Sequence, residues 1–151
     1  MKILGIDPGT SACAFAILDD GVVLSTQTLR PSPGNSQVIF ETFEKLIQNF
    51  KVEMIVCEDF RHWGTPIKSS PGKLESLIAE LSFIAACNKI PFCLQASIEL
   101  RRTFTDEDLC LILKQQHIKK RVSHHARDAI GHALVFESKL KLKSAEEKDE
   151  T

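Results

Sequence analysis

The hydrophobic pattern of this chain first changes period across Pro31-Ser32-Pro33-Gly34-Asn35, and that change limits the folds open to it. Before the break the apolar residues run as strands. Residues 2–7 carry Ile3, Leu4 and Ile6, and residues 11–18 are apolar on both faces from Ala12 to Leu18. Asp19-Asp20-Gly21 is a hairpin signal that leads into Val22-Val23-Leu24 and a strand running to Leu29. After the break the spacing becomes helical, with Ile39, Phe43, Leu46, Ile47 and Phe50 on one face. Met54-Ile55-Val56-Cys57 is then a continuous apolar run, as in a buried parallel strand, and it ends on Glu58-Asp59. Leu74, Leu77, Ile78, Leu81 and Ala85 mark a second helix, residues 91–95 a short strand and residues 97–102 a short helix. Thr105-Asp106-Glu107-Asp108 starts another helix with acidic groups in its first turn. A last helix over residues 123–140 carries Ala126, Ala129, Ile130, Ala133 and Leu134 on one side. The order predicts an α/β fold: a mixed five-stranded sheet, three strands antiparallel and two parallel, flanked by helices. The first strand and the one ending at Glu58 are expected at its centre.

A chain of 151 residues has room for one core. Its apolar content of 43% excludes wholesale disorder. Its longest apolar runs are far too short to span a bilayer, and the N-terminus lacks the basic stretch and apolar core of a signal peptide. The expectation is a soluble cytoplasmic protein with no membrane partner. Five scattered cysteines without a CxxC pair argue against both a disulfide framework and a structural zinc site. Residues 1–142 form the expected domain and residues 143–151 a charged, disordered tail. That tail has a net charge of −2; taken from the total of −1, it leaves the domain at +1. The cations of the domain cluster late, at Arg101, Arg102, Lys114, Lys119, Lys120 and Arg121. Phosphate binding needs such a patch, and a solvated basic face would look the same.

Open α/β sheets place their sites outside the carboxyl ends of the strands, which makes Asp7 and Glu58 candidates to converge. Read alone, Asp7 in Asp7-Pro8-Gly9-Thr10 is also a turn aspartate that caps local amides, and Glu58 could simply cap a strand. Asp128 is the third acidic residue, in His124-His125-Ala126-Arg127-Asp128-Ala129-Ile130-Gly131-His132. His125 and Asp128 share a helix face at i and i+3, whereas His124 sits about 100° round from His125 and is expected off the site. Three acidic residues, at the ends of two buried strands and on a terminal helix, suggest an oxygen-rich cation site.

In this order the residues resemble the RuvC-like branch of the RNase H superfamily, the Holliday junction resolvases. Ile3-Leu4-Gly5-Ile6-Asp7-Pro8-Gly9-Thr10, Ile55-Val56-Cys57-Glu58 and His125-Ala126-Arg127-Asp128-Ala129 carry the likeness, and residues 73–92 resemble the family's long dimer-forming helix and following strand. It extends to about residue 140. The Asp-Pro-Gly-Thr turn is shared with actin-like ATPases, which normally need a duplicated domain and a second phosphate loop.

The resemblance implies an RNase H-like sheet and two-metal phosphodiester cleavage, with carboxylates holding two Mg²⁺ or Mn²⁺ roughly 3.5–4 Å apart. Asp7 would bridge the two ions, with Glu58 and Asp128 flanking. His125 stands where the family usually has a fourth acidic ligand, and an imidazole there favours Mn²⁺ or softer ions. The resemblance also implies branched DNA as substrate, a homodimer for paired nicks, and an aromatic wedge after the glutamate, for which Phe60 and Trp63 are available. Arg61, His62 and Lys68 would add phosphate contacts there, and Arg101 to Arg121 would grip DNA arms. Leu100, Phe104, Phe83 and Ile84 are the candidates for a second apolar surface. A chain this short is in keeping with a small phage-type member, acting in the host cytoplasm and also on forks and flaps. The other reading is a catalytically weak branched-DNA-binding module of the same fold.

Overall fold

A computed structural model describes residues 1–32, 35–59, 71–118 and 121–149. The elements follow in the order β1 (Lys2–Asp7), β2 (Cys13–Asp19), β3 (Val22–Leu29), α1 (Gln37–Phe50), β4 (Met54–Asp59), α2 (Pro71–Cys87), β5 (Phe92–Ala96), α3 (Ser97–Thr103), α4 (Asp106–Gln115) and α5 (His124–Asp149). The sheet order is β3-β2-β1-β4-β5. β3, β2 and β1 pair antiparallel, and β4 and β5 continue the sheet in parallel from β1. This is the mixed five-stranded architecture the periodicity predicts, with β1 in the middle. The β2–β3 hairpin turns through Asp20 and Gly21, both at positive φ (46° and 78°), as a tight hairpin demands.

The sheet has a core on each face. Leu4, Ile6, Phe15, Ile17, Ile55 and Cys57 pack beneath α1 and α2, whose buried residues include Ile39, Phe43, Leu77 and Leu81. Ile3, Ala14, Ala16, Leu18 and Val56 pack beneath α5 through Ala126, Ala129, Ile130 and Ala133. Strand alternation then fixes the polar ends. Ile3 in β1 and Val56 in β4 face α5, so Asp7 and Glu58, each an even number of residues further on, face α5 as well.

The last helix differs from expectation. Instead of ending near Leu140, α5 continues to Asp149, through most of the segment expected to be disordered. The reason is local. Ala, Glu and Lys are strong helix formers, Lys141 pairs with Glu137 at 2.8 Å one turn away, and Ser144 Oγ donates back to the Leu140 carbonyl at 2.6 Å. Two of the candidates for a second apolar surface, Leu100 and Phe104, pack within the monomer. Leu100 is buried in a small cluster with Leu109 and Val135, and Phe104 packs against it. Ile84 packs against the α1–α2 core, which leaves Phe83, 71% exposed, as the apolar residue that α2 presents to solvent.

Candidate active site

Asp7 and Glu58 are neighbours because β1 and β4 run parallel, with Ile6 opposite Cys57 and both acidic residues one step further on. Asp128 joins them because α5 lies unusually close to β1. A Cβ on Gly5 would sit 2.0 Å from the Ala129 carbonyl oxygen and 3.2 Å from the Ala133 Cβ, so glycine is what permits this approach. Gly5→Ala should therefore push α5 off the sheet, cost about 1–3 kcal/mol in chemical denaturation, and separate Asp128 from Asp7.

All three carboxylates are held above the ordinary carboxylate range. For Asp7 burial is the largest cause, followed by the charges of Glu58 and Asp128 and a hydrogen bond to Glu58, and together they push it up to about 9. Glu58 is raised by burial and by Asp128, against the opposing pull of Ser97, Asp7 and Arg101. Asp128 is raised by burial, against His124, Arg101 and His125. Each carboxylate is turned onto a partner of its own. Asp7 Oδ2 meets His125 Nδ1 at 2.7 Å, Asp128 Oδ2 meets His124 Nε2 at 3.2 Å, and Ser97 Oγ donates to Glu58 Oε1. In this arrangement no three His, Cys, Asp or Glu side chains among the described residues close around one point.

The donor set nonetheless fits a hard divalent cation. Two buried carboxylates and a half-buried third, all raised chiefly by burial and with Glu58 and Asp128 both raising Asp7, are groups whose charge a bound dication would neutralise, and their oxygens are what Mg²⁺ and Mn²⁺ prefer. The thiols do not compete. Cys13 and Cys57 lie on the opposite face of the sheet, and burial pushes Cys13 up to about 12 and Cys57 well above its ordinary value. All five cysteines are free.

The structure places His125 against Asp7, Glu58 beside Asp7, and Asp128 near both carboxylates. His124 is a correction: it was expected off the site, but one helical turn carries its Nε2 to Asp128. Three further participants have no sequence signal, and a fourth, Arg101, was expected only as a DNA contact. Ser97 opens α3, Gln95 ends β5 opposite Glu58, His132 lies fully buried on α5, and Arg101 places its charge near Glu58, Asp128 and His132. Arg127, within the helix motif, is held by a two-pronged pair with Asp106 at 2.7 and 3.0 Å, which ties α4 to α5. Of the expected DNA contacts, Arg102, Lys114 and Arg121 are exposed. Phe60, Arg61, His62, Trp63, Lys68, Lys119 and Lys120 lie outside the described residues.

No protein-family model matches the chain. No curated protein matches it in sequence. Solved structures do match. RuvC of Thermus thermophilus in complex with a Holliday junction substrate superposes with a TM-score of 0.78 at 16% identity, over 93% of this chain and 96% of that one. The chain has the RuvC fold. The yeast mitochondrial Holliday junction resolvase Ydc2 superposes with a TM-score of 0.59 at 15% identity, over 89% of this chain and 75% of that one. Fowlpox virus resolvase, in complex with Holliday junction DNA, gives 0.53 at 13% identity, over 93% and 99%. On this RuvC-like fold the carboxylates stand at the carboxyl ends of β1 and β4 and on the helix crossing them. Among the described residues no helix is long and apolar enough to cross a membrane.

Proposed function

We propose that this chain is a metal-dependent, structure-selective endodeoxyribonuclease that cuts branched DNA, four-way junctions first, by a two-metal mechanism. One observation carries the proposal: the carboxylates of Asp7, Glu58 and Asp128, from three separate elements, lie near enough that Glu58 and Asp128 both raise Asp7 and Asp128 raises Glu58. A fold shared with proteins solved on Holliday junctions supports DNA as the substrate.

Asp7, Glu58 and Asp128 would hold Mg²⁺ or Mn²⁺, with His125 as a nitrogen donor. When bound, such ions supply an activated water and charge stabilisation for the leaving oxygen. The protein's own groups do the rest. Asp7 lies between Glu58 and His125, the position from which one carboxylate reaches two sites. Ser97 holds Glu58, His124 holds Asp128, and the exposed Arg101 stands ready to meet a phosphate beside them.

The test is incubation of the purified chain with labelled four-way, three-way, forked and linear DNA in Mg²⁺, Mn²⁺ and EDTA. Metal-dependent nicking confined to branched substrates is the expected result. Junction binding without nicking in either metal would favour the binding-module reading.

Paired nicks on a symmetric junction call for two sites related by a two-fold axis. Phe83, exposed on α2, is the residue we assign to a homodimer contact. Phe83→Asp should give a monomer in sedimentation with its melting temperature unchanged, because the side chain is not part of the monomer core. A wild-type chain that stays monomeric on the junction would remove the dimer.

A further inference from the structure

His132 is fully buried on α5, and its Nε2 has no hydrogen-bond partner among the described residues. Its tautomer is fixed by a neighbour. Gln95 Nε2 donates to His132 Nδ1 at 3.0 Å and also reaches the His132 carbonyl oxygen at 3.4 Å. With Nδ1 an acceptor, the ring proton sits on Nε2. That N–H faces Glu58 Oε2 at 3.9 Å, too far for a hydrogen bond; closing the gap takes a shift of about 1 Å. The other oxygen of Glu58 already accepts from Ser97 Oγ. Glu58 is therefore bracketed, with a donor in place on one oxygen and a second donor waiting on the other.

A buried donor without an acceptor is unfavourable, and the Gln95 bond to Nδ1 leaves that cost on Nε2 alone. The Gln95 amide, opposite Glu58 in the β4–β5 register, leaves the ring proton on Nε2, the nitrogen 3.9 Å from the carboxylate. We propose that His132 is a positioning residue for the metal centre: its Nε2–H takes Glu58 Oε2 as acceptor when Glu58 turns to ligate a divalent cation. Glu58 then presents a fixed lone pair to the ion, the task that outer-sphere donors perform for ligating carboxylates. The role rests on the nuclease reading above, because it requires Glu58 to be a ligand.

The experiment is calorimetric titration of Mn²⁺ into the full chain, wild type against His132→Leu, His132→Asn and His132→Gln, without DNA. His132→Leu should bind Mn²⁺ about 10–100-fold more weakly, and it should also melt lower in EDTA, because the buried Gln95 amide loses its acceptor. Glutamine can place an amide N–H where Nε2 stands, whereas asparagine reaches only the Nδ1 position. His132→Gln should therefore keep most of the wild-type affinity and His132→Asn should lose it. That pair decides the matter even if the leucine variant fails to fold. Equal Mn²⁺ affinity in wild type and His132→Asn, or equal weakness in His132→Gln and His132→Asn, would overturn the positioning role alone. A wild-type chain that takes up no Mn²⁺ would overturn the metal-site reading, and this role with it.

Discussion

Asp7→Asn, Glu58→Gln and Asp128→Asn should each reduce junction cleavage by about 10³-fold or more while leaving junction binding within a few-fold of wild type. Each change removes a metal charge and keeps the size of the side chain. The stabilisation a metal gives a developing negative charge is several kcal/mol, and about 4 kcal/mol corresponds to about 10³ in rate. Binding should be spared because the cations proposed to meet phosphate, Arg101 among the described ones, are untouched. Gel-shift and nicking assays on one junction separate the two effects, and near-wild-type cutting by any variant would remove that residue from the ligand set.

The same substitutions should stabilise the metal-free protein, in a pH-dependent direction. The Asp7 pKa in the folded state lies above its ordinary value, at about 9 against 3.8. A group raised in this way contributes stability that is complete below about pH 4 and is lost as the pH climbs toward 9. Metal-free wild type should thus melt lower at pH 8 than at pH 6, and Asp7→Asn should lose much of that slope. Bound Mg²⁺ or Mn²⁺ competes with the same protons, so metal affinity should rise across this window. The cluster is a local instability retained at a place where charge has to be collected.

Asp7 and Glu58 are legible in the sequence because strand ends announce themselves: an apolar run stops on a carboxylate, and the parallel pairing of two such strands puts both stops side by side. Asp128 is legible through its helix, where small residues mark the face that must approach the sheet. Ser97, Gln95 and His132 are not. Their contacts join residues 37 and 39 positions apart, and they depend on the β4–β5 register and on how far α5 slides along β1. No local pattern encodes either. His132 in particular reads as one more polar residue on a helix, since the partners that meet it, Gln95 and Glu58, come from the ends of two strands distant in the sequence. His124 was misplaced for a related reason. Counting the angle between His124 and His125 overlooks that residues four apart are neighbours on a helix, which brings the His124 imidazole and the Asp128 carboxylate within 3.2 Å. The extent of α5 escaped because a charged tail and a solvent-exposed helix of Lys, Glu and Ala have the same composition, and i,i+4 pairing decides between them.

His125→Ala should lose most cleavage, His125→Asp should stay active with its preference moved toward Mg²⁺, and wild type should work better in Mn²⁺. The imidazole touches Asp7 at 2.7 Å and shares a helix face with Asp128, so it stands at the edge of the ligand set rather than outside it. A neutral nitrogen there leaves the site one negative charge short of a four-carboxylate one and gives it a softer donor, and both favour Mn²⁺ over Mg²⁺. Aspartate restores charge and oxygen character at the same place; alanine supplies neither. His124 separates this from a general effect of losing an imidazole. Its ring holds Asp128 at 3.2 Å from the far side, so His124→Ala should weaken cleavage by about 10–100-fold, as loss of an outer partner does, without changing the order of the two metals. Nicking rates for the three variants in each metal give the answer in the ratio of Mn²⁺ to Mg²⁺ rate. That ratio should fall for His125→Asp and hold for His124→Ala. If His125→Ala cuts as fast as wild type in both metals, the imidazole is no ligand and the centre is built from three carboxylates alone.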